Sequence, residues 1–164
     1  MRIVVGADHR GFQMKNAVAD FLRANGHDVT DVGTDSAEPV DYPDIAVAIA
    51  GEIQSGNAER GVFVCGSGVG ACVAANKLSG IRAAITHDIY SAHQGVEHDD
   101  MNVICPGSHV IGVDVALEVT QAFVGASFDA QERYVRRLAK VRAIEAGETR
   151  TGKTETGKPQ EISG

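Results

Sequence analysis

Continuous apolar runs alternate along the chain with segments in which apolar residues recur every three or four positions. Arg2 to Ala7 is an almost continuous apolar run, which is typical of a strand buried on both faces of a sheet. Ile45, Ile49 and Ile53 recur four residues apart, which indicates one apolar face of a helix. By these patterns we predict strands at residues 2–7, 29–32, 61–65, 83–86 and 103–105. We predict helices through residues 14–22, 45–53, 69–77, 89–97, 113–124 and 132–146, and a loop at residues 33–43.

Strands that alternate with helices at this spacing predict repeated βαβ units, and therefore a parallel sheet covered by helices on both faces. Right-handed crossovers make this a Rossmann-like three-layer αβα sandwich with a five-stranded parallel sheet. Ligands of such sheets bind at the carboxyl ends of the strands. We expect three clusters to lie there: Asp8-His9 after the first strand, Cys65–Gly70 after the third, and the region of His98 just before the fifth.

The length of 164 residues suits one domain with a substantial core, and an apolar content of 43% is ordinary for a globular protein. We predict a single domain over residues 1–146. Residues 147–164 are rich in Gly, Thr, Lys and Glu and have no apolar period, so we predict a flexible tail there.

Composition also narrows the class of function. No run approaches the 18 or more apolar residues of a membrane span, and Met1–Gly6 resembles a strand that is too short for a signal peptide. Three cysteines, an odd number without paired spacing, favour reduced thiols and a cytoplasmic location. The net charge of −7 argues against a nucleic-acid surface. A small anionic ligand is compatible with this charge, because its site needs only a few local positive groups.

The residues after the third predicted strand carry the strongest chemical signal. Cys65 ends this strand, and Gly66-Ser67-Gly68-Val69-Gly70 forms a glycine-rich turn before a helix. This order places one thiol beside backbone N–H groups at the start of a helix, where a phosphate, an enolate or the thiolate itself is stabilised. Cys72 lies within a helix and Cys105 at a strand end, and both are expected to be ordinary buried cysteines.

A second interpretation of this turn is a dinucleotide-binding fingerprint, which would indicate an NAD-dependent dehydrogenase. Gly66, Gly68 and Ala71 match the pattern G-x-G-x-x-A, and Asp88 follows near the end of the next strand. The fingerprint normally follows the first strand of its fold, whereas this turn follows the third. A small phosphate is therefore the favoured ligand.

Other polar residues are candidates for the same site. Asp8 is expected to cap the first helix, and His9 to lie beside a ligand at the strand ends. His98 lies in a polar cluster before the fifth strand and is a candidate for acid–base chemistry. The spacing of the histidines from His87 to His109 matches no zinc motif.

The last predicted helix has an apolar and a basic face. Tyr134, Leu138 and Val141 are expected to face the core. Arg133 and Arg137 are four residues apart and share a face, which is compatible with either a solvated surface or a phosphate clamp.

Together these segments resemble the ribose-5-phosphate isomerase B and galactose-6-phosphate isomerase family. The resemblance covers about residues 2–145 in order, and the combination is more specific than any one segment. The matching segments are Gly6-Ala7-Asp8-His9-Arg10-Gly11, Gly33-Thr34, Asp41-Tyr42-Pro43, Cys65–Gly70, Ala74-Ala75-Asn76-Lys77, Gly80-Ile81-Arg82-Ala83, His98, Asn102-Val103, Arg133 and Arg137.

The resemblance implies an aldose–ketose isomerase without metal or cofactor, which interconverts ribose 5-phosphate and ribulose 5-phosphate through an enediolate. It implies that Cys65 moves a proton between C2 and C1, and that Ser67 and the backbone N–H groups of Gly66–Gly70 stabilise the enediolate oxygens. The remaining implied roles are ring opening for His98, orienting hydroxyls for Asp8, lining the pocket for Tyr42, and holding the phosphate for His9, Arg133 and Arg137. By position, Asp99, Asn102 and His109 are further substrate-binding candidates. It also implies a homodimer, or a tetramer of such dimers, with the site at the subunit interface.

Two residues depart from the family pattern. Asp99 stands where the family usually has asparagine, and His109 stands where many members have an arginine near the phosphate. An ionised Asp99 cannot donate a hydrogen bond. The substrate can therefore be another sugar phosphate, such as a tetrose 4-phosphate or a hexose 6-phosphate. A protein that binds a sugar phosphate without catalysis is the other alternative.

Overall fold

Strands and helices alternate along the chain, as the apolar pattern predicts. In the computed structural model, which describes residues 1–148, five strands form one parallel sheet in the order β2-β1-β3-β5-β4, flanked by six helices. The strands are β1 (Arg2–Ala7), β2 (Asp28–Asp31), β3 (Arg60–Val64), β4 (Ala83–Ala84) and β5 (Val103–Ile104). The helices are α1 (Phe12–Ala24), α2 (Tyr42–Gln54), α3 (Val69–Ala75), α4 (Ile89–Asp99), α5 (Val113–Gly125) and α6 (Glu132–Glu145). The predicted three-layer sandwich is confirmed.

Alternating side chains of the central strands fill two separate cores. Val5 and Val62 face the core that α1, α4 and α5 cover, whereas Val4 and Phe63 face the core under α2 and α3. All four are fully buried, and burial of each such side chain contributes about 1.5–3 kcal/mol. The carboxyl ends of β1 and β3 are therefore held rigidly beside each other, in the register Ala7 opposite Val64.

The two strands on one side of the sheet are shorter than predicted. β4 lies at the edge, and only Ala83 and Ala84 pair with β5. On the outer side of β4, the Asn76 side chain accepts a hydrogen bond from the Ala83 N–H at 2.9 Å and donates one to the Ala83 carbonyl at 2.8 Å. The chain then turns into α4, which begins where the Asp88 carboxylate accepts the Ser91 N–H at 2.7 Å.

Local details correct three of the predictions. Asp8 does not cap α1, because α1 begins four residues later at Phe12 and Gly11 holds the cap position. Tyr42 begins α2 rather than ending a loop, since Pro43 in the first turn favours helix initiation. Val141 is half-exposed rather than buried.

Residues 149–164 of the predicted tail lie outside the described residues. Within residues 1–148, no helix is both long and apolar enough to cross a membrane.

Candidate active site

The glycine-rich turn lies directly at the carboxyl end of β3. Cys65 is buried there, and its Sγ accepts the backbone N–H of Gly68 at 3.1 Å. This bond stabilises negative charge on the sulfur. The Ser67 hydroxyl oxygen accepts the Val69 N–H at 3.3 Å, so its own hydrogen is free to donate to a ligand.

Gly68 allows the turn to approach the neighbouring strand. It has a φ of +83°, and a Cβ on it would lie 2.2 Å from the carbonyl oxygen of Cys105. A side chain would therefore meet both an unfavourable backbone conformation and a backbone atom. The closeness of this turn to the segment after β5 depends on the absence of a side chain at this position.

The end of β1 supplies a carboxylate beside the turn. Asp8 is buried, its N–H donates to the Val64 carbonyl at 3.2 Å, and its Oδ1 accepts the N–H groups of Arg10 at 2.9 Å and Gly11 at 3.0 Å. Within residues 1–148, these bonds leave its Oδ2 without a protein donor. Asp8 therefore holds the β1–α1 turn with one oxygen and can accept from a ligand with the other.

The next residue is held in a defined tautomer. His9 Nδ1 accepts the Val40 N–H at 3.4 Å. A neutral imidazole that accepts at Nδ1 carries its proton on Nε2, so His9 can donate from Nε2 to an anion.

Tyr42 forms one wall of the site. A Cβ on Gly70 would lie 3.0 Å from Cζ of the Tyr42 ring, so the ring packs directly on the backbone of α3's first turn. Because Tyr42 is 40% exposed, its ring still offers surface to a ligand. Tyr42 thus lies beside Gly70, and its predicted contact with a ligand stays a prediction.

An ion pair between a buried lysine and more exposed acids fixes the segment that leads to Tyr42. The Lys15 ammonium is fully buried and donates to both carboxylate oxygens of Asp31 at 2.7 Å and to Asp35 at 3.3 Å. Asp31 also accepts the Gly33 N–H at 2.9 Å, and the Gly33 carbonyl accepts the N–H of Ala7 at 2.7 Å. The segment after β2 is thereby tied to the end of β1, next to Asp8.

The segment after β5 completes this end of the sheet. Cys65 forms a parallel bridge with Gly107, and the His109 N–H donates to the Gly66 carbonyl at 2.9 Å. His87, which follows β4, accepts the Gly107 N–H on its Nε2 at 2.9 Å. The sequence analysis assigned His87 no role, because no periodicity or motif places it near this bridge.

The other predicted site residues lie at the opposite end of the sheet, near the amino ends of the strands. Helix α4 begins after the carboxyl end of β4 and runs back, so His98 in its last turn lies toward the amino ends of the strands. The prediction that His98 lies at the carboxyl ends is therefore wrong: a residue just before a parallel strand lies at the strand's amino end. Asp99 is exposed at the end of the same helix.

His98 is held by neighbours of its own chain. Its Nδ1 lies 2.5 Å from Gln94 Nε2, and its Nε2 lies 2.8 Å from the Tyr134 hydroxyl. The rings of His98 and Tyr134 stack with centroids 4.2 Å apart, and the Arg133 guanidinium lies 4.6 Å from the Tyr134 ring centroid. Arg137 is exposed on the same helix. Within residues 1–148, neither arginine forms an ion pair with a carboxylate.

Asn102 also lies near the amino ends of the strands. Its Oδ1 accepts the Arg82 N–H at 2.8 Å, and its Nδ2 donates to the Gly80 carbonyl at 2.8 Å. Its own carbonyl accepts the N–H of Gly61 at the start of β3, at 2.8 Å. The amide is therefore engaged with main chain at the amino ends of the strands.

A cavity of about 580 Å³ is also remote from Cys65. It lies between the α3–β4 loop, α4 and α6, and Leu78, Ile81, Met101 and Leu138 give it a mainly apolar wall. We assign the chemistry to the Cys65 turn rather than to this cavity, because the Cys65 thiol and the polar groups of Ser67 and Asp8 lie at that end of the sheet.

Cys72 and Cys105 lie behind the turn. The hydrogen bond from Cys105 lowers the pKa of the half-buried Cys72 thiol to about 6. The same contact, together with burial, raises the pKa of Cys105. The expectation that Cys105 is an ordinary buried thiol agrees with this, whereas Cys72 is the more acidic of the two.

Comparisons with known proteins agree with this arrangement. The family model described as Ribose/Galactose Isomerase matches residues 3–141. Ribose-5-phosphate isomerase B of Escherichia coli K12 is 38% identical over 144 residues, 88% of this chain and 96% of that protein. D-erythrulose-4-phosphate isomerase of Pectobacterium atrosepticum is 40% identical over 130 residues, 79% of this chain and 86% of that protein. The structure of Clostridium thermocellum ribose-5-phosphate isomerase B superposes with a TM-score of 0.87 at 40% identity, over 91% of this chain and 100% of that one.

Proposed function

The chain belongs to the ribose/galactose isomerase family, and we propose that it interconverts ribose 5-phosphate and ribulose 5-phosphate with Cys65 as the base. Membership makes the protein an aldose–ketose isomerase of sugar phosphates. The observation that carries the finer proposal is the position of Cys65. Its sulfur lies at the carboxyl end of β3 and accepts the Gly68 N–H at 3.1 Å, and the polar groups of Ser67 and Asp8 follow the paired ends of β3 and β1.

The reaction moves two protons within the sugar. In the open-chain aldose, the Cys65 thiolate removes the proton from C2, the electron pair of that C–H bond forms the C1=C2 double bond, and the C1=O1 π pair moves to O1 to give an enediolate. The same sulfur, now a thiol, returns the proton to C1. The hydroxyl proton of O2 moves to O1, so the product is the ketose and Cys65 is again a thiolate.

The turn around Cys65 is suited to the charge that develops on the sugar oxygens. The Ser67 hydroxyl can donate, because its oxygen already accepts the Val69 N–H. Backbone N–H groups of Gly66 and Gly70 are the other donors that we assign to the enediolate. Loss of one such donor typically costs about 10²–10³-fold in kcat.

The residues from β1 would hold the rest of the substrate. We assign Asp8 Oδ2 to the sugar hydroxyls and His9 Nε2–H to the phosphate, because the partners of their other atoms leave these two free. Tyr42 would cover the sugar carbons on the side of Gly70.

We further propose that the site is completed by a second copy of the chain. In the same chain, Cys65 lies at the carboxyl ends of the strands, whereas His98, Arg133 and Arg137 lie toward the amino ends. In a homodimer, the ring-opening His98 and the phosphate-binding arginines of one copy would serve Cys65 of the other. Residues 1–146 of each copy would then form the entire isomerase domain.

A tetrose 4-phosphate is the second candidate substrate. The relative from P. atrosepticum, 40% identical, is named for D-erythrulose 4-phosphate. Asp99 and His109 also depart from the pattern expected for ribose 5-phosphate, and His109 lies beside the Cys65 turn through its bond to Gly66.

Proton NMR in D₂O tests the chemistry and the substrate together. The wild-type protein is mixed separately with ribose 5-phosphate, a tetrose 4-phosphate and a hexose 6-phosphate, and deuterium incorporation at C1 and C2 is followed. We expect aldose–ketose conversion with exchange, and Cys65→Ala to slow it by about 10³-fold or more. Cys72→Ala is the matched control, because it removes a neighbouring thiol and should keep the exchange rate. Equal loss in both variants would contradict the assignment of Cys65.

Subunit mixing tests the shared site. At a substrate concentration well below the wild-type KM, Cys65→Ala and Arg137→Ala are each expected to have little activity alone, but their heterodimer has one site with both native residues. Random exchange of copies makes half of the dimers mixed, so about a quarter of wild-type activity should return. No recovery, with exchange of copies verified by mass spectrometry, would show that each chain uses its own arginine.

A further inference from the structure

The side chain of Arg10 lies across Gly66, the residue that follows Cys65. Its Cδ lies 3.1 Å, and its Nη1 3.8 Å, from the position that a Cβ on Gly66 would occupy. The main chain of Arg10 is fixed on both sides: its N–H donates to Asp8 Oδ1 at 2.9 Å, and its carbonyl accepts the Ser108 hydroxyl at 2.9 Å. The exposed guanidinium therefore extends from a rigid attachment over the turn.

No carboxylate within residues 1–148 pairs with this guanidinium, and it donates no hydrogen bond to a described residue. The protein carries a net charge of −7, and Arg2, Arg23 and Arg82 each pair with a nearby acid. An arginine that lacks such a partner at the rim of a site leaves its full donor capacity for a ligand.

We propose that Arg10 is a substrate-binding residue that holds the phosphate of the sugar phosphate from the same chain as Cys65. This inference rests on the proposed function, which assigned the phosphate only to His9 and to arginines of a second copy. A guanidinium binds a phosphate through two parallel N–H donors, and His9 adds its Nε2–H from the adjacent position in the chain. The aliphatic stem on Gly66 keeps the charge near the turn.

Arg10→Met tests this proposal, because it keeps the stem and removes the charge. The phosphate is remote from the reacting carbons, so its contacts contribute equally to substrate and transition state. We expect KM to rise on the order of tenfold or more while kcat changes little, because a hydrogen bond to a charged group is lost. The inhibition constant of inorganic phosphate should rise in parallel. Arg23→Met, an exposed arginine in the last turn of α1, is the matched control and should leave both constants unchanged.

A relocated arginine separates a charge effect from a structural one. The His109 N–H bonds the Gly66 carbonyl, so an arginine at position 109 would start from main chain that contacts the same residue. We expect His109→Arg in the Arg10→Met background to recover most of the lost phosphate affinity, and Arg10→Lys to retain part of it.

Two results would overturn the inference. One is a KM and a phosphate inhibition constant for Arg10→Met within about twofold of wild type. The other is a loss that neither Arg10→Lys nor the relocated arginine reduces. Titration calorimetry with inorganic phosphate compares wild type and Arg10→Met without turnover. If the wild type converts no sugar phosphate, the proposed function fails, while this titration still decides whether Arg10 binds phosphate.

Discussion

Replacing Gly68 with alanine should damage the Cys65 turn far more than the same substitution at Gly26. The two glycines have nearly the same φ, +83° and +81°. A Cβ on Gly68 would lie 2.2 Å from the Cys105 carbonyl oxygen, whereas a Cβ on Gly26 would meet nothing within 4 Å. The pair therefore separates the cost of the backbone conformation from the cost of the close approach.

The expected magnitudes follow from these two geometries. An alanine in the left-handed region costs about 1–2 kcal/mol, and reduced entropy of the unfolded chain offsets about 0.4–1 kcal/mol of this. Gly26→Ala should thus lower the free energy of unfolding by about 1 kcal/mol. Gly68→Ala must also move the turn by about 1 Å to reach an ordinary contact near 3.4 Å. That movement lengthens the 3.1 Å bond from the Gly68 N–H to Cys65 Sγ, and a misplacement of this size can lower kcat about 10²-fold.

Urea unfolding and steady-state kinetics measure the two effects on the same samples. We expect Gly26→Ala to keep wild-type kcat despite its lower stability. Gly68→Ala should lose at least about 3 kcal/mol of stability or relax the turn, and in either case lose most of its kcat. Equal stability in the two variants together with wild-type kcat in Gly68→Ala would refute the reasoning.

Three further predictions test other parts of the structure. Asp31→Ala should lower the free energy of unfolding by about 3 kcal/mol in urea titrations, because it removes the main partner of the fully buried Lys15 ammonium; a loss below about 1 kcal/mol would contradict this. Tyr134→Phe should lower kcat about tenfold, because the contact of the hydroxyl with His98 Nε2 is lost. The thermal midpoint should not shift, because the stacked ring stays. An unchanged kcat would argue against a role for that hydroxyl. Cys72 should react with iodoacetamide at pH 7.5 and much less at pH 5, since its pKa of about 6 makes it mainly a thiolate only above that pH. Mass spectrometry of the labelled peptide measures the reaction, and equal labelling at both pH values would contradict the prediction.

Periodicity predicted most of the fold because the central strands β1, β3 and β5 are buried on both faces and the helices on one. The run from Arg2 to Ala7 admits only one interpretation, and the structure places β1 there. Periodicity could not predict the ends of elements that depend on tertiary contacts. β4 ends at Ala84, two residues early, because only Ala83 and Ala84 pair with β5. Val141 has core spacing on α6 but is half-exposed there.

The Cys65 turn was predictable because its chemistry is contiguous in sequence, whereas contacts between distant segments were not. Arg10 has no periodic or motif signal that connects it to Gly66; only the register of β1 and β3 brings them together. Lys15 did leave a signal, since it lies three residues before Val18 on the apolar face of α1, and a lysine at a core position requires a buried acid. The position of His98 depends on the direction in which α4 returns, which a residue pattern does not fix.

The Asn76 side chain covers the open side of β4, and this affects more than the site. β4 is an edge strand, and an unpaired edge is a template on which another chain can add a strand. The Asn76 amide occupies both outward-facing main-chain groups of Ala83, at 2.9 and 2.8 Å, as the backbone of a sixth strand would. A single side chain thus terminates the sheet. We therefore expect Asn76, which closes α3 behind the Cys65 turn, to hinder the addition of a strand from another chain at this edge.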